Sequence, residues 1–176
     1  RRQTDKAAGQ RLYDLGNLKD ITAHEHSSIE PEYEHKWGRL SMLYGALEAG
    51  GTKMICALGD ENGKIYEQLS IPTIEPEITI PKIIDYFRGR PIEALGVACF
   101  GPIDLNRGSE TYGYITTTPK LKWKNYNIVG ALRDALSVPV GFDTDVNGSL
   151  LGEVCYGSSK GLRDVIYLTI GTGVGG

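Results

Sequence analysis

The fold is decided by residues 43–53, which read Leu43-Tyr44-Gly45-Ala46-Leu47-Glu48-Ala49-Gly50-Gly51-Thr52-Lys53. An apolar run with one acidic residue breaks at two glycines, and a hydroxyl, an ammonium group and a second apolar run follow. The pattern predicts two strands joined by a bend that presents backbone N–H groups beside the hydroxyl and the cation. Those donors could hold a polyphosphate, and the Glu48 carboxylate could hold a hydrated Mg²⁺. The alternative is a strand bend that needs glycine for its geometry alone.

The composition is that of a globular protein. The chain has 176 residues, of which 40% are hydrophobic and 23% charged, and this length predicts one domain or one and a part. The net charge of −3 gives no electrostatic reason to expect nucleic acid or an anionic membrane as partner. No apolar run approaches the ~20 residues that span a bilayer. Cys56, Cys99 and Cys155 form no CxxC pair and are predicted to be reduced thiols of a cytoplasmic protein.

Residues 1–41 differ from the rest of the chain. They are polar and weakly periodic, and they contain all three histidines, which no regular frame brings together as a metal site. We predict a disordered or leader-derived extension without an assigned function. Met42 stands directly before the first strand and is a candidate initiator.

From residue 43 onward the pattern becomes regular. Three leading strands followed by alternating helices and strands indicate a mixed α/β sheet. The predicted strands cover residues 43–49, 52–58, 64–71, 94–100, 138–142 and a buried run at 164–170, and the predicted helices lie around residues 80–87, 128–136 and 143–154.

A second glycine-rich stretch, Gly171-Thr172-Gly173-Val174-Gly175-Gly176, follows the last predicted strand. It matches the dinucleotide fingerprint G-x-G-x-x-G, although no helix and no acidic residue some 20 positions further on can be seen. A glycine turn between two strands, with Thr172 and backbone N–H groups facing phosphate, is the second interpretation. Together, this glycine turn and the bend at residues 50–53 predict two phosphate-binding turns that hold the phosphates of one nucleotide from opposite sides.

Asp145 lies between these two glycine turns, at a predicted strand-to-helix corner. Phosphoryl transfer to a hydroxyl requires aligned phosphates, a metal and a carboxylate that accepts the hydroxyl proton. A positioned base contributes roughly 10²–10⁴-fold to the rate. The alternative is that Asp143 or Asp145 caps the helix, and one residue could serve in both ways.

Five segments resemble, in order, the motifs of the ROK family of sugar kinases. The segment that contains Trp123 is similar to the bacterial fructokinase branch in particular, and the resemblance extends from residue 42 to residue 176. The five segments are residues 47–53, 96–104, 111–120 with Trp123, 143–148 with Gly152 and Glu153, and 168–176.

The resemblance implies an actin-like ATPase fold, related to ribonuclease H, in which ATP and sugar meet between two lobes. Residues 42–158 would form the N-terminal lobe, and residues 159–176 would begin the second lobe with its first strand. Asp145 would be the base for the 6-hydroxyl of fructose, with Thr144 and Asn147 beside it on the sugar. The phosphate clamps would be the turn at residues 50–53 and Gly171, Thr172, Gly173 and Gly175. ATP with Mg²⁺, and a homodimer in the whole protein, are implied as well.

The resemblance also implies parts that this sequence does not contain. Family members continue through a zinc site of His and Cys residues, so zinc is expected only in that missing part. Residues 164–170 would then lack most of their partners, and we expect the 176-residue chain alone to be a poor or inactive kinase. Two other hypotheses are a ROK-type sugar-sensing transcriptional regulator and a Rossmann oxidoreductase fragment. Residues 1–41 show no helix-turn-helix pattern, and the Rossmann hypothesis leaves residues 47–53 and 141–147 unexplained.

Overall fold

The computed structural model describes residues 42–170 and 174–176. Predictions made for residues 1–41 and for residues 171–173 therefore lie outside the described residues. Within the described ranges, no helix combines the length and apolarity needed to cross a lipid bilayer. The elements are β1 (Tyr44–Ala49), β2 (Lys53–Gly59), β3 (Ile65–Pro72), α1 (Pro76–Phe87), β4 (Ala94–Cys99), β5 (Tyr114–Ile115), a 3₁₀ turn (Leu121–Trp123), β6 (Tyr126–Asn127), α2 (Ile128–Leu136), β7 (Val140–Thr144), α3 (Asp145–Cys155), β8 (Thr169–Ile170) and β9 (Val174–Gly175).

A five-stranded mixed sheet with the strand order β3-β2-β1-β4-β7 organises the fold. The first three strands pair antiparallel because short turns join them, whereas β4 and β7 run parallel to β1 and β4 respectively, after longer connections that contain α1 and α2. This arrangement confirms the mixed α/β sheet that the strand and helix pattern predicts.

Helices lie on both faces of this sheet. On one face, α1 packs so closely on β1 that a Cβ on Gly45 would meet the Phe87 ring at 3.0 Å. Leu47 and Phe87 are almost completely buried there, as period-2 alternation of β1 requires. On the other face α3 lies against β4, where a Cβ on Gly148 would be 2.5 Å from the Cβ of Ala98. Gly148 therefore allows the close approach of α3 to the sheet.

Two predicted boundaries were wrong. The last strand of the sheet continues to Thr144, because Asp143 and Thr144 pair with Ala98 and Cys99, and the following helix begins at Asp145 rather than at Asp143. The run at 164–170 forms a strand only at Thr169–Ile170 and is not buried; Ile166 and Ile170 are both 80% exposed. Among the described residues, this strand pairs only with β9, so its apolar side chains remain uncovered.

Candidate active site

The carboxyl ends of β1, β4 and β7 lie side by side at one edge of the sheet. The parallel ladders pair Ala49 with Cys99 and Cys99 with Thr144. The bend after β1 and the helix that begins at Asp145 therefore start at the same edge of the sheet, with β4 between them. The carboxyl edge is where open α/β sheets bind their ligands.

The glycine turn, residues 50–52, joins β1 to β2. The Thr73 hydroxyl donates to the Gly50 carbonyl at 2.7 Å, and the Thr73 N–H donates to the Thr52 carbonyl at 3.0 Å. A Cβ on Gly50 would lie 2.5 Å from the Lys53 carbonyl oxygen, so only glycine fits at this position. The N–H groups of Gly51 and Thr52 have no acceptor in the described part of the chain. Thr73 thus forms hydrogen bonds with two carbonyls of the turn, and the Gly51 and Thr52 N–H groups of the same turn are available to an anion.

We expect Thr73→Val to weaken binding of ATP, the nucleotide that the family resemblance implies, by about 2- to 10-fold. The substitution keeps the shape of the side chain but removes the donor to Gly50, and one neutral hydrogen bond contributes about 0.5–1.5 kcal/mol. Calorimetric titration of the gene product that contains this chain measures the effect. Thr73→Ser keeps the hydroxyl and should bind ATP as the wild type does. Equal affinity of the valine and serine variants would show that this contact does not position the turn.

Glu48 and Asp143 lie on the same face of the sheet, on either side of Ala98. Both residues are in register with Ala98, so their Cα atoms are two strand spacings apart, about 10 Å. Glu48 is exposed, and no cation in the described residues forms an ion pair with it. The described ranges contain no group of three or more metal-ligating side chains. A single exposed carboxylate such as Glu48 suits an Mg²⁺ ion that keeps several of its waters and takes its other ligands from phosphate oxygens.

Thr144 caps α3, which corrects the hypothesis that Asp143 or Asp145 does so. The Thr144 backbone is extended, and its hydroxyl accepts a hydrogen bond from the Asn147 N–H at 3.1 Å. The Asp143 Oδ1 instead accepts from the Thr144 N–H and the Asn147 side-chain amide, each at 2.7 Å. Thr144 and Asn147, the predicted sugar contacts, are therefore held by local hydrogen bonds beside Asp145.

Asp145 is half-buried at the first position of α3. Its Oδ1 accepts from the Val146 N–H at 3.0 Å, and its other oxygen has no protein donor in the described residues. Burial raises the pKa of the Cys99 thiol to about 12, and the Asp145 carboxylate adds to that rise. The carboxylate thus lies near the end of β4, where the amino terminus of a helix favours negative charge. Such a group can accept a proton from a hydroxyl at the sheet edge.

The second predicted phosphate clamp is described only in part. Gly171, Thr172 and Gly173 lie outside the described residues. Gly175 belongs to β9, which pairs antiparallel with β8. This pairing places a strand on each side of the glycine stretch, as the interpretation of a turn between two strands predicts.

Two residues at the glycine turn were missed by sequence reasoning. Thr73 follows β3, and Lys120 lies in the polar loop after β5, with its Cε 3.5 Å from the position that a Cβ on Gly51 would occupy. Both contacts join positions more than 20 residues apart. Lys120 ends the motif segment at residues 111–120, but nothing in that pattern predicts that its side chain lies at the glycine turn.

Comparison with known proteins gives fructokinases at 41–50% identity and glucokinases at 26–29% identity. The fructokinase of Lactococcus lactis subsp. cremoris is 50% identical over 137 residues, which are 78% of this chain and 46% of that protein. The fructokinase of Pediococcus pentosaceus is 47% identical over 134 residues, which are 76% of this chain and again 46% of that protein. The chain thus spans about half the length of the relatives that it matches.

The solved structures agree with the sheet described above. A ROK family glucokinase from Streptomyces griseus, crystallised with glucose and AMPPNP, has a TM-score of 0.61 and 27% identity over 76% of this chain and 43% of its own. The actin-like ATPase fold expected from the family resemblance is confirmed by this neighbour. The ROK family model matches residues 44–176, including the glycine-rich stretch, so the dinucleotide-binding alternative is not favoured. Because this match covers most of the 176 residues, the chain belongs to the ROK family.

Proposed function

We propose that this chain is part of an ATP-dependent fructokinase, which transfers the terminal phosphoryl group of ATP to the 6-hydroxyl of D-fructose. The observation that carries the proposal is the half-buried Asp145, whose carboxylate has one oxygen without a protein donor and lies at the sheet edge that also holds the glycine turn. Relatives named fructokinase at 41–50% identity support the choice of sugar.

In this proposal, Asp145 accepts the proton of the 6-hydroxyl as that oxygen attacks the terminal phosphorus. The N–H groups of the glycine turn, with the Thr52 hydroxyl and Lys53, hold the phosphates. Thr144 and Asn147 contact the sugar next to the base. Glu48 holds Mg²⁺ through water, and the ion when bound offsets negative charge on the phosphate oxygens.

The proposal also covers the ligands, the oligomeric state and the cellular compartment of the enzyme. Its partners are sugar and ATP, without nucleic acid, and the whole protein forms a homodimer with zinc bound in the part beyond this chain. Cys56, Cys99 and Cys155 are free thiols, as in a reducing, cytoplasmic environment. A ROK family transcriptional regulator shares the fold at 16% identity and a TM-score of 0.54, but no observation on this chain favours a regulator over a kinase.

A sugar panel tests the proposal. The gene product that contains this chain, read through to its stop codon, is assayed with ATP and fructose, mannose or glucose. We expect the highest kcat/KM on fructose and a product phosphorylated at the 6-position. A higher kcat/KM on glucose would overturn the choice of sugar, and no transfer from ATP to any sugar would overturn the kinase.

The 176-residue chain is assayed beside it. We expect little or no turnover, because Leu162, Ile166, Leu168 and Ile170 are each 61–80% exposed and lack the surface that would bury them. Steady fructose phosphorylation by this chain, abolished by Asp145→Asn, would contradict that expectation.

A further inference from the structure

We propose that Lys120 is a second phosphate-binding cation, which reaches over the glycine turn to contact the terminal phosphate of ATP. The inference rests on the proposed function, and it adds to that function a residue from outside the turn. The observation behind it is the position of the Lys120 side chain. Its Cε lies 3.5 Å from the position that a Cβ on Gly51 would occupy, so the side chain borders the space next to a turn whose Gly51 and Thr52 N–H groups have no acceptor in the described residues.

The backbone around Lys120 is fixed on both sides. The Lys120 N–H donates to the hydroxyl of the buried Thr118 at 3.3 Å, and the Lys120 carbonyl accepts from the Trp123 N–H at 2.8 Å. Trp123 is 1% exposed, and its indole N–H donates to the Ile74 carbonyl at 2.7 Å. Ile74 directly follows Thr73, which holds the glycine turn. Lys120 and the turn are therefore attached to the same short segment after β3.

The ammonium group of Lys120 is available to a ligand. It forms no ion pair with any carboxylate of the described residues, although the side chain is half-buried. Lys122, two positions further along, differs in both respects, because it is 76% exposed and pairs with Glu75 at 3.4 Å. A half-buried cation without a protein counter-ion, beside two unpaired N–H groups, is an arrangement that favours a phosphate oxygen.

Lys120 also differs from Lys53, the cation expected from the sequence. Lys53 is exposed at the start of β2, on the strand that leaves the turn. Lys120 comes to the turn from the separate loop that precedes α2. Two cations that approach from different elements can hold successive phosphates, and we assign the terminal one to Lys120.

The experiment compares the binding of AMPPNP, a non-hydrolysable ATP analogue, with that of ADP. The gene product that contains this chain is titrated by calorimetry as wild type, Lys120→Met, Lys120→Arg and the matched control Lys122→Met. We expect Lys120→Met to raise the Kd of AMPPNP by about 10- to 100-fold, the effect of losing one hydrogen bond to a charged group. The Kd of ADP should stay within about threefold, which also shows that the variant is folded. Lys120→Arg should keep most of the AMPPNP affinity, and Lys122→Met all of it.

Two results would overturn the inference. One is equal AMPPNP affinity in the Lys120→Met and Lys122→Met variants. The other is an equal loss of ADP and AMPPNP affinity in Lys120→Met, because the terminal phosphate would then not be the group contacted. A wild type that phosphorylates fructose while Lys120→Met binds AMPPNP normally retains the proposed function and loses this inference. If the wild type phosphorylates no sugar but Lys120→Met selectively loses affinity for AMPPNP, the inference about Lys120 stands and the proposed function does not.

Discussion

Asp145→Asn is expected to lower kcat of the gene product on fructose by about 10²–10⁴-fold, the range that a positioned general base contributes. Asparagine has nearly the same shape as aspartate, and its carbonyl oxygen can still accept from the Val146 N–H, as Asp145 Oδ1 does at 3.0 Å. Its amide cannot take the proton of the sugar hydroxyl. The KM for ATP should stay within about twofold, because the glycine turn is untouched.

Asp143→Asn provides the matched control for this prediction. Asp143 is two residues away, and its Oδ1 accepts two hydrogen bonds, from Thr144 and Asn147. An amide oxygen can accept both, so kcat should fall by less than about tenfold. Steady-state rates with both substrates varied measure the two variants. Similar losses in both would mean that the Asp143 network, rather than proton acceptance by Asp145, controls the rate.

The elements that could be predicted from the sequence are those with a strong local pattern. The runs that became β1, β2 and β4 are apolar and bounded by glycine or by polar turns, and Gly50 marks a position that no larger residue could occupy. Asp145 was singled out because a carboxylate at a strand-to-helix corner is a local feature. The family resemblance then identified these segments as successive motifs of one fold and implied their function.

What could not be predicted depends on contacts between distant parts of the chain. Aspartate and threonine are both good N-caps, so the sequence could not show that Thr144, rather than Asp143, caps α3. The apolar run at 164–170 predicts a buried strand, but burial also needs a neighbouring strand. Ile166 is 80% exposed, in agreement with the lack of partners expected from the family resemblance. Lys120 meets the glycine turn across 69 positions of sequence, from Gly51 to Lys120. No local pattern reports such a contact.

Trp123→Ala is expected to reduce the free energy of unfolding of this lobe by about 3–5 kcal/mol, the usual cost of removing a large buried aromatic side chain. Trp123 is 1% exposed, and its ring meets Phe100 and Tyr126 edge to face at centroid distances of 6.0 and 5.6 Å. Its removal would also leave the Ile74 carbonyl without the indole donor at 2.7 Å. Urea unfolding followed by circular dichroism measures the loss.

Two companion variants separate packing from the hydrogen bond. Trp123→Phe keeps most of the ring contact but leaves the Ile74 carbonyl unsatisfied, so its loss should be smaller, with about 1–3 kcal/mol from the missing donor. Leu121→Ala, in the same 3₁₀ turn, changes a side chain that is 79% exposed and should stay within about 0.5 kcal/mol of wild type. If Trp123→Ala were no more harmful than Leu121→Ala, the loop that carries Lys120 would not be anchored through Trp123. The site would then require another support for its second cation.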